Sequence, residues 1–248
     1  MHIFVINLRE DFARREAIEN QLRNLGLSHE FFPAIHGKNL SLEERKQHCD
    51  EAWFIRNEGR PALPGQLGCA LSHIAIYQLI RAKKLTHALI LEDDAWLNPN
   101  LPQLLQAIAQ KYAPNERNIF LLTWFIDISM RTFETLWSHY HVAKVKSAVG
   151  SHGYVISNAA AEALIQTLYP VRHFADSWGW LQRHRIVNIF AIFPPCITAD
   201  LSYKSRIAAT TIEPEGSALK RMKHKAYRGF WRAIDHVVAI IQRSGERS

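Results

Sequence analysis

Three consecutive acidic residues, Glu92, Asp93 and Asp94, follow one apolar run and precede another. Carboxylates that lie this close together repel one another, so the arrangement indicates a compensating feature nearby. A bound divalent cation, a shared proton or water at the end of a strand would each serve. From the triplet alone, a metal–diphosphate site and a solvated strand end are equally good interpretations.

The residues before the acids predict how they are positioned. Residues 2–8 predict a strand, 11–25 a helix ended by Gly26, and 29–35 a second strand, which is the β–α–β order of an α/β sheet. Residues 86–91 predict a further strand with the acids at its carboxyl end. Ligands of open α/β sheets bind outside the carboxyl ends of the strands, so the acids are predicted to lie at a binding edge.

The same alternation continues along the chain. Polar residues 36–64 predict a long loop or helical excursion, and segments 36–64 and 124–140 are the expected places for specificity. The other predicted helices are 65–84, 100–111, 158–169 and 175–184, and the other predicted strands are 118–124, 151–157 and 187–195. These elements predict one α/β domain over residues 1–206.

Charge is concentrated in the last part of the chain. Residues 217–248 hold eight basic and two acidic residues, which is a net +6 out of a formal +7 for the whole protein. Apolar residues in 217–243 recur at helical spacing opposite the basic ones, so residues 207–248 predict a basic amphipathic helical tail. Such a helix either docks on an anionic membrane surface or packs on the domain with its basic face in solvent.

Composition narrows the protein class further. The hydrophobic fraction of 48% excludes wholesale disorder. The three cysteines, Cys49, Cys69 and Cys196, have neither disulfide-framework nor zinc-knuckle spacing. The N-terminal apolar run is shorter than a signal peptide requires, and no apolar segment reaches membrane-spanning length. We therefore expect a cytoplasmic protein.

Several short motifs, taken in order, resemble glycosyltransferase family 25, the bacterial lipopolysaccharide and lipooligosaccharide glycosyltransferases related to the collagen galactosyltransferases. The resemblance covers roughly residues 1–206 and implies a GT-A-like nucleotide-sugar-binding fold with a central, mostly parallel sheet. It also implies a donor that is commonly UDP-galactose, dependence on Mn²⁺ or Mg²⁺, and inversion at the anomeric carbon. The motifs are VINL near the N-terminus, Arg14-Arg15, GCALSH (68–73), LILEDD (89–94), GYVIS (153–157) and Asp176 before Trp178.

The resemblance gives each acid a role. Glu92-Asp93-Asp94 would stand for the DxD motif, with Asp94 as the first metal ligand. Glu92 would be a second ligand, or lie nearer the ribose or a metal-bound water. Asp93 would contact the donor or would instead face into the protein and hold the loop.

Other donor contacts are implied by the same resemblance. Arg14 or Arg15 would supply charge near the donor, against the simpler interpretation of a solvated helix face. In GCALSH the polar side chains would bind the sugar or a phosphate, or would serve packing, which is favoured for Cys69. His152 departs from the threonine or small residue usual in the family, and is either a metal or phosphate contact or has no role. The donor-binding residues are thus predicted to be Asn7, Leu8, Arg15, Ser72, His73, Glu92 and Asp93.

An inverting transfer needs a carboxylate that takes the proton of the acceptor hydroxyl. Asp176 is the best candidate, since Trp178 and Trp180 beside it could stack on an acceptor sugar. Its simpler interpretation is a helix N-cap. Asp127 and Asp200 are reserve candidates.

The predicted function is therefore an inverting hexosyltransferase that acts on a lipopolysaccharide, lipooligosaccharide or other saccharide acceptor. It would be peripheral on the inner face of the bacterial inner membrane, bound through residues 217–243. A metal-dependent phosphoryl-transfer or nucleic-acid enzyme and a non-catalytic nucleotide-sugar-binding protein are the alternatives. No second carboxylate cluster and no P-loop motif supports the nucleic-acid alternative, so no nucleic-acid partner is predicted.

Overall fold

The computed structural model describes residues 1–124 and 127–199. Their centre is a nine-stranded sheet with the order β2-β1-β3-β9-β5-β10-β8-β6, in which β7 also pairs with β8. A separate two-stranded sheet joins β4 and β11. The strands are β1 (His2–Asn7), β2 (Glu30–Pro33), β3 (His87–Glu92), β4 (Ala95–Leu97), β5 (Asn118–Leu121), β6 (Asp127–Ile128), β7 (Glu134–Trp137), β8 (Tyr140–Ser147), β9 (Gly153–Ser157), β10 (Asn188–Phe193) and β11 (Ile197–Ala199).

Most strands of the large sheet run in one direction. β1 is parallel to β2 and β3, and β5 is parallel to β10. β9 is antiparallel to β3 and β5, and β8 is antiparallel to β10, β6 and β7. Within the described residues, β8 and β9 are thus the two reversed strands, and the predicted α/β fold with a mostly parallel central sheet is confirmed.

Helices cover both faces of the sheet. Alternate side chains of a strand point to opposite faces, so Ile3, Val5 and Val155 share one core with α1 and α5. On the other face, α4 packs against α6, and Tyr154 of β9 hydrogen-bonds to α4. The helices are α1 (Phe12–Asn24), α2 (Leu42–His48), α3 (Glu51–Glu58), α4 (Pro64–Ala82), α5 (Leu101–Lys111), α6 (Asn158–Leu168) and α7 (Trp178–Arg183).

The topology brings three chain segments together at one end of the central strands β1, β3 and β9. β1 and β3 are parallel neighbours, with Ile6 opposite Glu92, so the carboxyl ends of both strands lie side by side. β9 runs the other way and begins there, with Gly153 opposite Leu91. The acidic residues therefore meet the segment after β1 and the segment before β9.

Two predicted segments are more regular in the structure than the sequence suggested. Residues 36–64 form a short 3-10 turn followed by α2 and α3, so the helical excursion is the correct alternative. Residues 124–140, expected to be a specificity loop, contribute β6 and β7, and β8 follows them as an unpredicted strand. β4 and β11 were also not predicted.

The helices found in the described residues are each too short or too polar to cross a membrane. The predicted tail, residues 207–248, and its membrane-docking part 217–243 lie outside the described residues, as does Asp200. The boundary at residue 206 and the tail's role therefore stay predictions.

Candidate active site

Asp93 holds the acidic turn in place. Only 9% of the residue is exposed, and its carboxylate accepts hydrogen bonds from Asn7 Nδ2 at 2.8 Å and Arg14 Nη1 at 3.0 Å. Burial raises the pKa of Asp93, and the hydrogen bonds from Asn7 and Arg14 partly offset that rise. These contacts favour the loop-holding interpretation of Asp93 over a donor contact.

Asn7, the last residue of β1, and Leu8, which follows it, have different roles. Asn7 is 3% exposed, and its amide also donates to the main-chain carbonyl of Asp11 at 3.2 Å. It therefore fixes the acidic turn, and the predicted donor contact of Asn7 is not supported. Leu8, in contrast, lines an open cleft that also contains the acids.

Of the two adjacent arginines, Arg14 belongs to the site. Besides the bond to Asp93, its Nη1 lies 3.9 Å from Asp94 Oδ2. Arg15 is exposed, and its guanidinium lies over the Phe31 ring at 4.0 Å from the centroid. Arg15 therefore packs on Phe31 while its neighbour faces the acids, and the predicted donor contact of Arg15 is not supported.

Asp94 has the least favourable surroundings of the three acids. Its Oδ1 is buried and has no hydrogen-bond partner among the described residues. Burial, together with the negative charges of Glu92 and Asp93, raises the pKa of Asp94 to about 6, although His152 and Arg14 act in the opposite direction. A buried carboxylate oxygen without a donor is costly, and a bound cation would remove that cost.

Glu92 is held from two sides as an ionised carboxylate. The Ser151 hydroxyl donates to its Oε1, and His73 Nε2 lies 3.6 Å from the same atom. Burial alone would raise the pKa of Glu92, but His73, His152 and Ser151 outweigh burial and lower that pKa to about 2. Glu92 is therefore available as an anionic ligand.

His73 and Ser72 are built into the helix packing beneath the acids. His73 is 1% exposed, and its Nδ1 shares a 2.7 Å hydrogen bond with the Tyr154 hydroxyl. Ser72 is equally buried; its Oγ accepts from Ile35 N at 2.8 Å and donates to Gly68 O at 2.7 Å. The structure thus supports the packing interpretation for Ser72 and makes His73 a support for Glu92.

Gly68 allows the main chain to pass close to α4. A Cβ placed on Gly68 would lie 2.3 Å from Ile35 O and 2.7 Å from Gly37 N, which are main-chain atoms that cannot simply rotate away. We expect Gly68→Ala to lower the free energy of unfolding by about 2–3 kcal/mol, the upper range for overpacking. For a protein of this size the melting temperature should fall by roughly 4–10 °C, as measured by circular dichroism.

Gly179→Ala is the matched control for this prediction. A Cβ there would meet only Arg183 Nη1, the tip of a flexible side chain, at 3.2 Å. Since alanine is the better helix former, Gly179→Ala should leave stability unchanged or raise it slightly. Equal melting temperatures for Gly68→Ala and the wild type would contradict the close approach.

Asp176 lies next to the loop that precedes β9. Its Oδ2 accepts a hydrogen bond from Gly150 N at 2.9 Å. Burial raises the pKa of the Cys69 thiol well above its usual value, and the charges of Glu92, Asp176 and Asp94 raise it further. The negative charges of these three carboxylates therefore all act on the Cys69 thiol.

The two tryptophans beside Asp176 differ from their predicted role. Trp178 is fully buried, and its Nε1 donates to Gly150 O at 2.7 Å, so its predicted stacking on an acceptor sugar is not supported. Trp180 is only partly buried, but the imidazoles of His173 and His184 lie against it at centroid distances of 3.9 and 4.3 Å. Any acceptor contact by Trp180 would thus be made beside these rings.

Among the reserve bases, Asp127 is distant from the site. It lies on the outermost strand of the sheet order, is 56% exposed in its side chain, and pairs with Lys146 at 3.4 Å. Asp127 is therefore an ordinary surface acid.

Within the described residues, two groups of side chains lie close enough together to share one metal ion. One ligand atom from each of Glu92, Asp94 and His152 lies within 4.8 Å of the others, and the same holds for Cys69, His73 and Glu92. The first group contains both predicted metal ligands, and Asp94 also brings its unpartnered oxygen. Glu92 and Asp94 therefore fit a divalent cation, for which carboxylate oxygens are preferred ligands.

The family model described as glycosyltransferase family 25 (LPS biosynthesis protein) matches residues 1–178 of the chain. The chain belongs to glycosyltransferase family 25. The predicted resemblance is thereby confirmed, and it covers the acidic turn, the loop before β9 and Asp176.

Two relatives of this family 25 chain come from animals. A glycosyltransferase 25 family member of Drosophila melanogaster is 36% identical over 104 residues, which is 41% of this chain and 17% of the fly protein. Procollagen galactosyltransferase 1 of Danio rerio is 26% identical over 212 residues, or 77% of this chain and 33% of the fish protein. The chain thus spans a third or less of these two relatives.

One solved structure similar to this chain is a glycosyltransferase involved in the glycosylation of the major capsid of PBCV-1. It is 12% identical, with a TM-score of 0.44, over 84% of this chain and 95% of that one.

Sequence reasoning missed the residues that surround the acids. Ser151 donates a hydrogen bond to Glu92, and Lys38 and His36 line the same cleft as the acids. Ser151 could have been found if β9 had been paired with β3, because its position before β9 places it at the end of β3.

Proposed function

We propose that this protein transfers a hexose from a nucleotide sugar, with UDP-galactose as the first candidate, to a saccharide acceptor with inversion. The observation that carries the proposal is the acidic turn at the end of β3, where Asp94 Oδ1, which has no hydrogen-bond partner among the described residues, lies beside Glu92 in an open cleft. Family membership supports the reaction class.

A divalent cation, Mn²⁺ or Mg²⁺, would be held by Asp94 and Glu92, and when bound it would neutralise charge on the diphosphate leaving group. Asp93 orients both ligands, because its own bonds to Asn7 and Arg14 fix the turn on which they lie. His73 and Ser151 keep Glu92 ionised and in place.

The donor would occupy the cleft between the segment after β1, residues 34–38 and the start of α4. Leu8 and Ile35 provide apolar walls, and Lys38 and His36 bring basic side chains to the same cleft as the acids. Basic groups beside a cation suit the diphosphate of a nucleotide sugar. Arg14 lines this cleft as well, but its bond to Asp93 makes it part of the scaffold.

Asp176 would act as the base. Its Oδ2 is held by Gly150 N–H, which fixes the carboxylate near the acidic turn and leaves its other oxygen for the acceptor hydroxyl. The proton of that hydroxyl passes to Asp176 as the acceptor oxygen forms its bond to the anomeric carbon and the bond from that carbon to the diphosphate breaks, which releases the nucleoside diphosphate.

We also propose a lipopolysaccharide or lipooligosaccharide acceptor, for which the description of the matching family as an LPS biosynthesis protein is the support. The galactose assignment is supported by the relative named procollagen galactosyltransferase 1. Such an acceptor would lie at a membrane surface, where the basic segment 217–243 would attract anionic lipid.

The test is a thermal-shift series with UDP-galactose, UDP-glucose and GDP-mannose, each with and without Mn²⁺, followed by acceptor-dependent release of UDP. A donor present at 100 times its dissociation constant should stabilise the protein by about 2.7 kcal/mol. We expect stabilisation by a UDP-hexose that requires the metal. Stabilisation by none of the three nucleotide sugars would contradict the proposal.

A further inference from the structure

His152 lies where two strands place it against the acids. It immediately precedes β9, and its main-chain carbonyl accepts a hydrogen bond from Glu92 N at 3.0 Å. This bond continues the β3–β9 ladder, in which Leu91 is opposite Gly153. The position of His152 relative to Glu92 is thus set by sheet register rather than by a flexible side chain.

The ring is close enough to share an ion with the acids. One ligand atom of His152 lies within 4.8 Å of a carboxylate oxygen of both Glu92 and Asp94. Ligands at about 2.0–2.2 Å from an ion can be up to roughly 4.4 Å apart, so only a small side-chain rotation is needed.

The loop before β9 is shaped to hold this ring. Gly150 has a φ of +84°, and a Cβ at Gly150 would lie 3.1 Å from His152 Nδ1 and 3.2 Å from its Cε1. Gly150 is itself fixed by Asp176, which accepts from its N–H, and by Trp178, which donates to its carbonyl. The imidazole therefore packs on a glycine that is anchored from both sides.

One ligand oxygen of the group still needs a partner. Asp94 Oδ1 is buried and unpartnered among the residues that the structure describes. Together, the carboxylates of Glu92 and Asp94 and the imidazole of His152 offer two oxygen ligands and one nitrogen ligand to a single metal ion. A cluster of acids alone would offer only oxygen. Imidazole suits transition metals, whereas Mg²⁺ prefers oxygen.

We propose that His152 is a third protein ligand of the cation held by Glu92 and Asp94, and that it makes the site prefer Mn²⁺ and other transition metals over Mg²⁺. This inference rests on the metal site of the proposed function. It assigns the preference for Mn²⁺ over Mg²⁺ to the His152 side chain.

The second group, Cys69, His73 and Glu92, shares Glu92 with this site. His73 is 1% exposed, and its Nδ1 is already bonded to Tyr154. An ion bound there would use His73 instead of His152, so the two histidines must be distinguished by experiment.

The experiment is Mn²⁺ binding to the full chain in the presence of UDP, followed by electron paramagnetic resonance. Loss of the free-ion signal gives the dissociation constant, and electron spin echo modulation from ¹⁴N reports directly on imidazole ligation. For the wild type we expect ¹⁴N modulation. For His152→Ala we expect its loss, with Mn²⁺ affinity weaker by at least about 100-fold and Mg²⁺ affinity, measured by competition, changed less.

His139→Ala is the matched control, because His139 is an exposed histidine between β7 and β8 that neither lines the cleft nor belongs to either ligand group, and this variant should keep both the modulation and the affinity. Modulation that survives in His152→Ala and disappears in His73→Gln would overturn the assignment in favour of the second group. Mn²⁺ binding without ¹⁴N modulation in the wild type would overturn it while leaving the proposed function intact. Failure of the wild type to bind Mn²⁺ would instead reject the metal site itself, and with it this assignment.

Discussion

Asp94→Asn is expected to lose metal-dependent transfer while the metal-free protein becomes more stable. The asparagine keeps the size of the side chain but removes one of the two carboxylates proposed to hold the cation. Loss of a residue that merely orients a ligand costs 10- to 100-fold, so loss of a ligand should lower transfer by at least about 100-fold. The measurement is acceptor-dependent UDP release at saturating Mn²⁺ and donor.

The gain in stability follows from the charges around Asp94. Burial and the neighbouring acids raise its pKa to about 6, so the folded protein carries this charge at a cost near neutral pH. Two pKa units correspond to about 3 kcal/mol. Because the side chain is 15% exposed and contacts Arg14, we expect about 1–2 kcal/mol, or a rise of roughly 2–6 °C in melting temperature without metal.

Asp127→Asn is the matched control, since Asp127 is an exposed acid paired with Lys146 on the outermost strand. It should change neither transfer nor melting temperature. Mn²⁺ should raise the melting temperature of the wild type and of Asp127→Asn, but not that of Asp94→Asn. Metal-dependent transfer that survives in Asp94→Asn would contradict the role of Asp94.

The sequence was sufficient to place the acids because the pattern there is local. Four buried apolar residues precede Glu92 in β3. An apolar run that is followed directly by charged residues predicts that the buried strand ends where the charges begin. The same logic found β1, β9 and β10. It could not find β6 and β7, which are short and largely exposed, so their residues lack the burial that produces a pattern.

Helix phase could have separated Arg14 from Arg15. The buried residues of α1 are Ile18 and Leu22, and Arg14 lies one turn before Ile18 on the same side of the helix. Arg15 is rotated away by about 100° and reaches Phe31 instead. Arg14 and Arg15 were thus treated as equivalent, although the periodicity of α1 places them on different sides of the helix.

The helices of segment 36–64 had local signals that were not used. Ser41 and Glu44 form a capping box at α2, Asp50 caps α3, and Gly59 ends α3 with a φ of +70°. The burial of Trp178 had no such signal. A tryptophan that packs and one that binds sugar have the same sequence appearance, and only the carbonyl of Gly150 on a distant loop reveals the difference.

The second large effect is expected for Asp176→Asn, which should abolish transfer and leave donor binding intact. Asparagine Oδ1 can still accept the hydrogen bond from Gly150 N, so the loop before β9 should keep its shape. The amide cannot take the proton of the acceptor hydroxyl, however. Loss of a general base typically lowers the rate by about 10²- to 10⁴-fold, and we expect kcat to fall by that factor.

Donor binding is the readout that separates a base from a structural acid. The dissociation constant for UDP-hexose with Mn²⁺, measured by calorimetry, should change less than about twofold in Asp176→Asn, because a base contacts the acceptor rather than the donor. Asp50→Asn is the matched control: Asp50 also accepts a main-chain N–H, from Trp53 at 3.0 Å, but lies at the start of α3, so transfer should persist there. If Asp176→Asn loses donor affinity together with transfer, its role is to hold Gly150 and the metal ligands, and the base must be sought elsewhere.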